Sequence, residues 1–146
     1  MVLELDAYKN MINKDLTRVS MKAIESGDVI GRCMMSEEKG AWTISEWYVN
    51  KEYQGKGIGT SLLDGSLKYM YEKFGEPSKI EYIWNGQNEY VMDWLTEHFS
   101  PVSKCPLAVQ KTQAADDWDS HVYVLDKDSV LNYFGITNTK DAELEF

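Results

Sequence analysis

A glycine-rich segment in the middle of the chain has the composition of a phosphate-binding loop. It follows an apolar, strand-like stretch that ends at Val49, it opens into an amphipathic, helix-like stretch, and it reads Gln54-Gly55-Lys56-Gly57-Ile58-Gly59-Thr60. Glycine lacks Cβ and adopts positive φ, so a phosphate can approach the main chain, and the first turn of a helix adds unpaired N–H groups and partial positive charge. Lys51 and Lys56 add local charge in a chain whose formal net charge is -9. We therefore expect this loop to bind a phosphorylated cofactor.

Two common phosphate-binding motifs do not fit this loop. A Walker loop requires Gly, four residues, then Gly-Lys and Ser or Thr, whereas Lys56 precedes Gly57 here. A dinucleotide fingerprint requires Gly-x-Gly-x-x-Gly, and Thr60 stands where the last glycine belongs.

The loop does fit the pattern Gln or Arg, two residues, Gly, one residue, Gly or Ala, which Gln54, Gly57 and Gly59 satisfy. At this point the chain resembles the GNAT superfamily of acyl-CoA-dependent N-acyltransferases. The likeness extends to residues 44–53, which are similar to that family's fourth strand, and to residues 26–31, similar to its hairpin between the second and third strands. Asn88, which opens a helix-like stretch, is similar to its second motif.

The resemblance implies an α/β fold with a mixed sheet, the GNAT-like acyl-CoA N-acyltransferase fold, here with a shortened N-terminal region. It also implies direct transfer of an acetyl group from acetyl-CoA to an amine, without a covalent enzyme intermediate and without a metal. Main-chain groups near the end of the fourth strand would pair with the pantetheine arm as an added strand, and one N–H there would stabilise the oxyanion. The residues expected to bind the cofactor are Trp47, Tyr48, Val49, Gln54, Gly55, Lys56, Gly57, Ile58, Gly59, Thr60 and Asn88. The amide of Asn88 could equally cap its helix.

Glu46 is the candidate general base. An amine with a pKa near 10.4 is neutral in only about one molecule in 2,500 at pH 7, so its attack on a thioester benefits from a base. Glu46 lies three residues before the end of the strand that should run beside the thioester. Its other reading is a solvated carboxylate on a half-exposed strand. A water held by Ser45 and Glu46 could relay the proton instead.

The general acid is harder to place. The family often uses a tyrosine in a Tyr-x-x-x-Gly-Phe stretch, where this chain has Trp94 or Leu95 depending on alignment. Tyr90, one helical turn away, is a candidate acid, and a packing role is its alternative. His98 could titrate near neutral pH or simply favour the end of a helix. A thiolate with a pKa of about 8.5 leaves with little proton donation, so the acid is the more expendable group.

The remaining composition favours one small enzyme domain. The 146 residues, 43% of them hydrophobic, suit a single domain over residues 1–146, with a core at about 18–126 and a frayed tail at 138–146. A pI near 4.7 argues against a nucleic-acid partner and mildly favours a cationic acceptor. We expect no membrane span and a cytoplasmic location, since neither a long apolar run nor a signal peptide is visible. Cys33 and Cys105 read as reduced thiols.

Hydrophobic periodicity predicts the order of the elements. Residues 7–16 look weakly helical, with Met11, Ile12 and Leu16 on one face. Strands are expected at 18–24, 29–35 and 41–49, then a helix to about residue 74, a strand at 79–84 parallel to 41–49, and a helix at 88–98. A hairpin of 107–111 with 121–125 would close the sheet. Its acidic connection, residues 114–119, could recognise an amine around Trp118 or be a solvated turn.

The chain departs from the family at its beginning. The resemblance implies a first strand and a pair of helices before the hairpin, and residues 1–17 are too few for both. Either residues 2–5 form a short strand followed by one helix, or a second copy of the chain completes the acceptor pocket in a homodimer. Two other functions stay open, a non-catalytic acyl-CoA-binding sensor or regulatory module of the same fold and a nucleotide-binding α/β protein.

Overall fold

Four antiparallel strands connected in sequence form one half of a mixed sheet in the computed structural model, which describes residues 1–84, 89–99, 103–106 and 121–136. These strands are β1 (Val2–Lys9), β2 (Leu16–Glu25), β3 (Asp28–Glu38) and β4 (Ala41–Val49). The predicted strands at 18–24, 29–35 and 41–49 are confirmed. Ser26 and Gly27, with φ of 52° and 86°, make the tight turn between β2 and β3, as positive φ at both central residues of a two-residue hairpin requires.

The second half of the sheet follows a helical crossover. The further elements are α1 (Ile58–Phe74), β5 (Lys79–Trp84), α2 (Glu89–His98), β6 (Ser103–Pro106), β7 (His121–Leu125) and α3 (Lys127–Tyr133). The strand order is β1-β2-β3-β4-β5-β7-β6. Strand β5 runs parallel to β4, while β7 is antiparallel to both β5 and β6. The predicted parallel pairing of residues 79–84 with 41–49 is confirmed.

The predicted helix over residues 7–16 is wrong, because these residues complete one strand and turn into the next. Asn10 Oδ1 accepts hydrogen bonds from the N–H groups of Ile12 and Asn13, at 2.9 and 2.8 Å, which closes a tight turn. Met11 and Ile12 are 91% and 96% exposed at its tip. The alternative of one helix after a short first strand is wrong for the same reason, since β1 pairs with β2 along its whole length.

The closing hairpin forms with a different partner strand. Strand β7 has the predicted bounds, yet it pairs with β6, four residues upstream of the range expected. Residues 107–111 and 114–119, the tail at 138–146, and Asn88 lie outside the described residues.

The core lies between the sheet and its helices, on one face of the sheet. Alternate residues of β2 and β3, among them Val19, Ala23, Cys33 and Met35, are fully buried, and α1 buries Leu62, Leu63, Leu67 and Met70 against them. Helices α2 and α3 join this layer through aromatic contacts that lead from Trp47 on β4 to Trp94 and then to Tyr133. Within the described residues no helix packs on the opposite face, which we call the open face. None of the described helices has the length and apolar character needed to cross a bilayer.

Candidate active site

A β-bulge in the central strand sets the geometry of the site. The register of β4 with β3 pairs Ile44 with Met35 and Glu46 with Met34, so Ser45 is an extra residue. The Ser45 hydroxyl donates to the Met34 carbonyl oxygen at 3.2 Å. The extra residue reverses the alternation of side chains, and Ile44 and Trp47 both lie buried on the helix face. Glu46 consequently lies on the open face.

The same bulge marks the place where β4 and β5 separate. Their parallel ladder runs from Ala41–Lys79 to Ile44–Tyr82 and ends there within the described residues, although β4 continues to Val49. The Asn50 N–H donates to the carbonyl oxygen of Ile30 on β3 at 2.7 Å. Main-chain groups alternate in direction along a strand. Trp47 and Val49 therefore turn their main-chain groups away from β3, toward the gap beside β5.

The glycine-rich loop lies at this end of the sheet and has the conformation expected of an anion site. Gly55 and Gly57 have φ of 80° and 82°, and a Cβ built on either would meet nothing within 4 Å. Gly57 is the N-cap of α1 and offers no side-chain cap. Ser61 N–H donates to the Gly57 carbonyl oxygen at 3.0 Å. The N–H groups of residues 58–60 precede that first bond and point out of the helix end.

Two side chains fasten the loop to the strand. Gln54 Nε2 donates to the Val49 carbonyl oxygen at 2.9 Å, and Trp47 Nε1 donates to the Gly59 carbonyl oxygen at 2.8 Å. The Gln54 side chain therefore shapes the loop, whereas its sequence motif alone had suggested direct cofactor contact. Lys56 Nζ lies 5.6 Å from the Tyr53 ring centroid, so its charge stays beside the loop.

Strand, loop and α2 together enclose a cavity of about 210 Å³. Trp94 from α2 meets Trp47 edge to face, with ring centroids 5.6 Å apart. Of the expected cofactor residues that the structure describes, all except Lys56 line the cavity, and three residues that the sequence had not assigned line it as well, Tyr53, Val91 and Trp94. The inward spacing of Val91 and Trp94 on α2 was the signal for two of these. The cavity is lined by Trp47, Tyr48, Val49, Tyr53, Gln54, Gly55, Gly57, Ile58, Gly59, Thr60, Val91 and Trp94.

Glu46 forms an ion pair with a residue of the neighbouring strand. Its carboxylate Oε1 lies 3.6 Å from Nη1 of Arg32 on β3, and the two side chains are 44% and 29% exposed. The sequence had not identified Arg32. Only the strand register, which brings positions 32 and 46 to adjacent strands on one face, reveals it.

The candidate acids have different placements. Tyr90 belongs to α2, and its side chain lies outside the described residues. His98 is exposed, its Nδ1 donates to the Trp94 carbonyl oxygen at 2.8 Å, and its ring stacks on Trp94 at 4.3 Å between centroids. These contacts give His98 a structural role at the end of α2.

The buried thiol on β3 is not a nucleophile. Burial raises the pKa of Cys33 to about 12, an effect that a hydrogen bond with Ser66 partly offsets and the charge of Glu46 reinforces. Burial likewise raises the pKa of Tyr82 to about 12, with a further contribution from Cys33. Neither group ionises near neutral pH. Across the described part of the chain, His, Cys, Asp and Glu side chains form no group of three or more that could hold a metal ion.

Comparison with known proteins identifies relatives of this architecture. The family model of the Acetyltransferase (GNAT) family matches residues 3–90. Comparison with curated protein sequences gives no match. Similar solved structures include an acetyltransferase of the GNAT family from Staphylococcus aureus Mu50, with a TM-score of 0.57 and 13% identity over 74% of this chain and 68% of that one.

Two further structures show the same fold. Nourseothricin acetyltransferase has a TM-score of 0.54 and 16% identity, over 76% of this chain and 64% of that one. PaiA N-acetyltransferase from Thermoplasma acidophilum, solved in complex with coenzyme A, has a TM-score of 0.55 and 16% identity, over 73% of this chain and 59% of that one. The chain thus spans less than two thirds of the length of these two proteins. The predicted GNAT-like acyl-CoA N-acyltransferase fold is confirmed.

Proposed function

We propose that this chain, which belongs to the GNAT acetyltransferase family, transfers an acetyl group from acetyl-CoA to an amine. One observation carries the proposal. The end of β4, which has no strand partner on the β5 side within the described residues, and the N–H groups at the start of α1 line one continuous cavity, so a single extended ligand can contact both. Coenzyme A, with a diphosphate at one end of a pantetheine arm, has that shape.

The donor would be held almost entirely by main-chain groups. The N–H groups of residues 58–60 would bind diphosphate oxygens, and each bond to a charged oxygen contributes about 1.5–3 kcal/mol. The Val49 carbonyl oxygen already accepts a bond from Gln54. The Val49 N–H and the main-chain groups of Trp47 therefore remain to pair with the pantetheine amides.

Glu46 would act as the base from the open face. It accepts a proton from the amine, either directly or through a water. The Ser45 hydroxyl oxygen can accept a hydrogen bond from that water while the hydroxyl group donates its own hydrogen bond to the Met34 carbonyl oxygen. The amine nitrogen then forms a bond to the thioester carbonyl carbon, and the carbon–sulfur bond breaks. The electron pair leaves with the sulfur as a thiolate. An N–H group of β4 stabilises the intermediate oxyanion.

A non-catalytic acyl-CoA-binding module is the second candidate. Trp94 stands in the part of α2 where the family often has a tyrosine, and it packs against Trp47. The nucleotide-binding alternative has no comparable support. Amine-dependent release of coenzyme A separates catalysis from binding alone.

We further propose that residues 1–146 act as one domain and that the working form is a homodimer. The support is the short β1–β2 connection, which leaves the acceptor side without the pair of helices that the family uses there. The cytoplasmic location, the lack of a nucleic-acid partner and the role of Tyr90 and Asn88 stay predictions.

Calorimetry with acetyl-CoA on the wild type, Gly57→Ala and Gly27→Ala tests donor binding. Both glycines have positive φ and open space around a built Cβ, with φ of 82° and 86°, so both alanines introduce similar strain of about 1–2 kcal/mol. Only Gly57 lies at the proposed diphosphate site. We expect Gly57→Ala to weaken binding about 10- to 100-fold, since one contact to a charged oxygen is lost. Gly27→Ala should bind like the wild type.

Catalysis is then measured as free thiol released from acetyl-CoA with a panel of amines. The proposal fails if folded protein gives no heat with acetyl-CoA. Binding without release of thiol on any amine supports the non-catalytic module instead.

A further inference from the structure

The open face beside Glu46 carries an organised set of charges. Both arginines of the chain lie there, Arg18 on β2 and Arg32 on β3. The register aligns Arg32 with Lys22 on one side and with Tyr48 on the other. Glu46 lies two residues before Tyr48 on β4, on the same face and diagonal to Arg32. A basic group and an acidic group therefore stand side by side at the bulge.

The Arg32 guanidinium has unused hydrogen-bonding capacity. Its distance of 3.6 Å to Glu46 Oε1 makes an ion pair but exceeds hydrogen-bonding distance. Its Nε is buried without a hydrogen-bond partner in the described residues. Arginine presents five donors in a planar fork that matches a carboxylate. Within the described residues, the guanidinium therefore keeps donors for an anion beyond its ion pair with Glu46.

The neighbour of Arg32 strengthens that conclusion. Lys22 is its direct cross-strand partner, and like charges directly opposite each other are unfavourable. Glu4 on β1 lies opposite Lys22 on the far side and offsets only that charge. A bound carboxylate would offset the charge of Arg32. The charges around Arg32 are therefore mixed, with Lys22 opposite it and Glu46 diagonal to it.

We propose that the acceptor is a small amino carboxylate, such as an α-amino acid, whose amine meets Glu46 and whose carboxylate meets Arg32. The inference rests on the proposed function and names its substrate class. The amine nitrogen and carboxyl carbon of an α-amino acid are about 2.5 Å apart. That separation is comparable to the 3.6 Å between Arg32 Nη1 and Glu46 Oε1, so each charge can face its opposite.

Arg32 thereby becomes a specificity-determining residue. Glu46 takes the proton from the amine, while the carboxylate stays on Arg32 and fixes the direction in which the nitrogen approaches the thioester. A plain cationic amine, which the net charge had favoured, would have no partner for Arg32 and would meet its repulsion. The geometry therefore favours the zwitterion over the simple cation.

The test compares acids with their amides. Acetyl-CoA-dependent thiol release is measured with alanine, leucine, phenylalanine, methionine, glutamate and lysine, with the α-carboxamide of each, and with butylamine. The wild type should prefer the best acid over its amide in kcat/KM. Arg32→Met should reduce that acid-to-amide ratio about 10- to 100-fold, the value of a bond to a charged group. Arg18→Met, the other arginine of the same face, should leave the ratio unchanged.

The outcomes are distinct. Equal use of acids and amides by the wild type, or a ratio that survives in Arg32→Met, overturns this inference and leaves the acetyltransferase proposal intact. Binding of acetyl-CoA without turnover of any acid, amide or butylamine overturns the proposed function. Thermal unfolding checks that each variant folds. If Arg32→Met does not fold, Arg32→Gln replaces it in the same comparison of acids with amides.

Discussion

Glu46 is an ionisable residue in a central strand, and its side chain stays partly exposed because of two neighbouring residues. Ser45 supplies the extra residue that turns its side chain to the open face, and Arg32 supplies the nearest opposite charge. At 44% and 29% exposure, Glu46 and Arg32 are partly in water, so we expect their ion pair to contribute little to stability. The proposed role of the two side chains is in catalysis and acceptor binding, not in folding stability.

Glu46→Gln should lower kcat by about 10²- to 10⁴-fold, the usual contribution of a positioned general base. Glutamine keeps the size of the side chain and removes the proton acceptor. The affinity for acetyl-CoA, measured by calorimetry, should not change, because the donor contacts belong to the main chain of other residues. Glu4→Gln, a carboxylate on the outer strand of the same sheet, is the matched control. Unchanged turnover in Glu46→Gln would contradict the direct role.

Cys33 should make the protein less stable at high pH. Burial raises the pKa of the folded thiol to about 12 from its ordinary value of 9.0, so the unfolded thiol loses its proton where the folded one keeps it. The contribution is constant below pH 9 and is lost as pH rises from 9 toward 12. Between pH 8 and pH 10 the wild type should lose about 1.4 kcal/mol more than Cys33→Ala. Urea titrations at both pH values measure the difference, and equal losses would contradict the burial of the thiol.

Single residues were predictable where a local motif carried the signal. The glycine pattern located the loop, and alternation located the strand of Glu46. Arg32 was not predictable, because its partner is fourteen positions away and only the β3–β4 register joins them. The structural use of Gln54 was hidden for a related reason, since a motif does not say whether a side chain meets the ligand or the protein.

At the level of elements, regular alternation predicted strands well and turn chemistry was underestimated. The spacing of Met11, Ile12 and Leu16 suggested a helix, yet Asn10 closes a turn there with its own side chain. A polar residue that can hydrogen-bond nearby N–H groups competes with helix formation. The pairing of β7 with residues 103–106 was not predicted, and the partner expected at 107–111 lies outside the described residues.

The packing of α1 on the sheet depends on two glycines that should respond differently to alanine. A Cβ on Gly31 would lie 2.9 Å from the main-chain oxygen of Tyr48, which cannot move without shifting β4. We expect Gly31→Ala to cost about 1–3 kcal/mol, as overpacking does. A Cβ on Gly65 would lie 2.7 Å from Met21 Sδ, the flexible end of a side chain.

Gly65→Ala is therefore the control. The higher helix propensity of alanine, about 1 kcal/mol, should offset the adjustment of Met21, so its free energy of unfolding should stay close to that of the wild type. Denaturant titrations of both variants measure this. Gly31→Ala as stable as Gly65→Ala would contradict the close contact between β3 and β4.

For the whole molecule, the family resemblance predicted the fold correctly but did not predict the structure of the first 17 residues. The order of strands and the crossover follow the family, as the match over residues 3–90 agrees. The first strand is present, and a tight turn stands where the resemblance had implied a pair of helices. One face of the sheet consequently has no helix packed on it within the described residues. Local sequence patterns could not predict this, because they do not show on which face of the sheet a helix packs.

In a homodimer, a second copy of the chain would cover the acceptor side that the short β1–β2 connection leaves open. Among the described strands β1 lies at the edge of the sheet, and Val2, Leu3 and Tyr8 are 61%, 41% and 47% exposed on it, so it can pair with another copy. Sedimentation equilibrium at micromolar concentration should give about twice the chain mass of 16.8 kDa. Val2→Lys, which places a charge on the exposed edge, should shift the equilibrium to the monomer. A wild-type monomer with full activity would contradict the dimer.

The bulge at Ser45 also decides which side chains in the second half of β4 face the apolar layer. If Ser45 were paired regularly instead of forming the bulge, the alternation set by Trp42 and Ile44 would carry Glu46 into the apolar layer and turn Trp47 outward. Deleting Ser45 would instead remove the bulge and leave Glu46 and Trp47 on their present sides, because Ile44 and Trp47 would then be two positions apart. The way Ser45 is paired, more than its presence, therefore decides which side of the sheet carries the carboxylate.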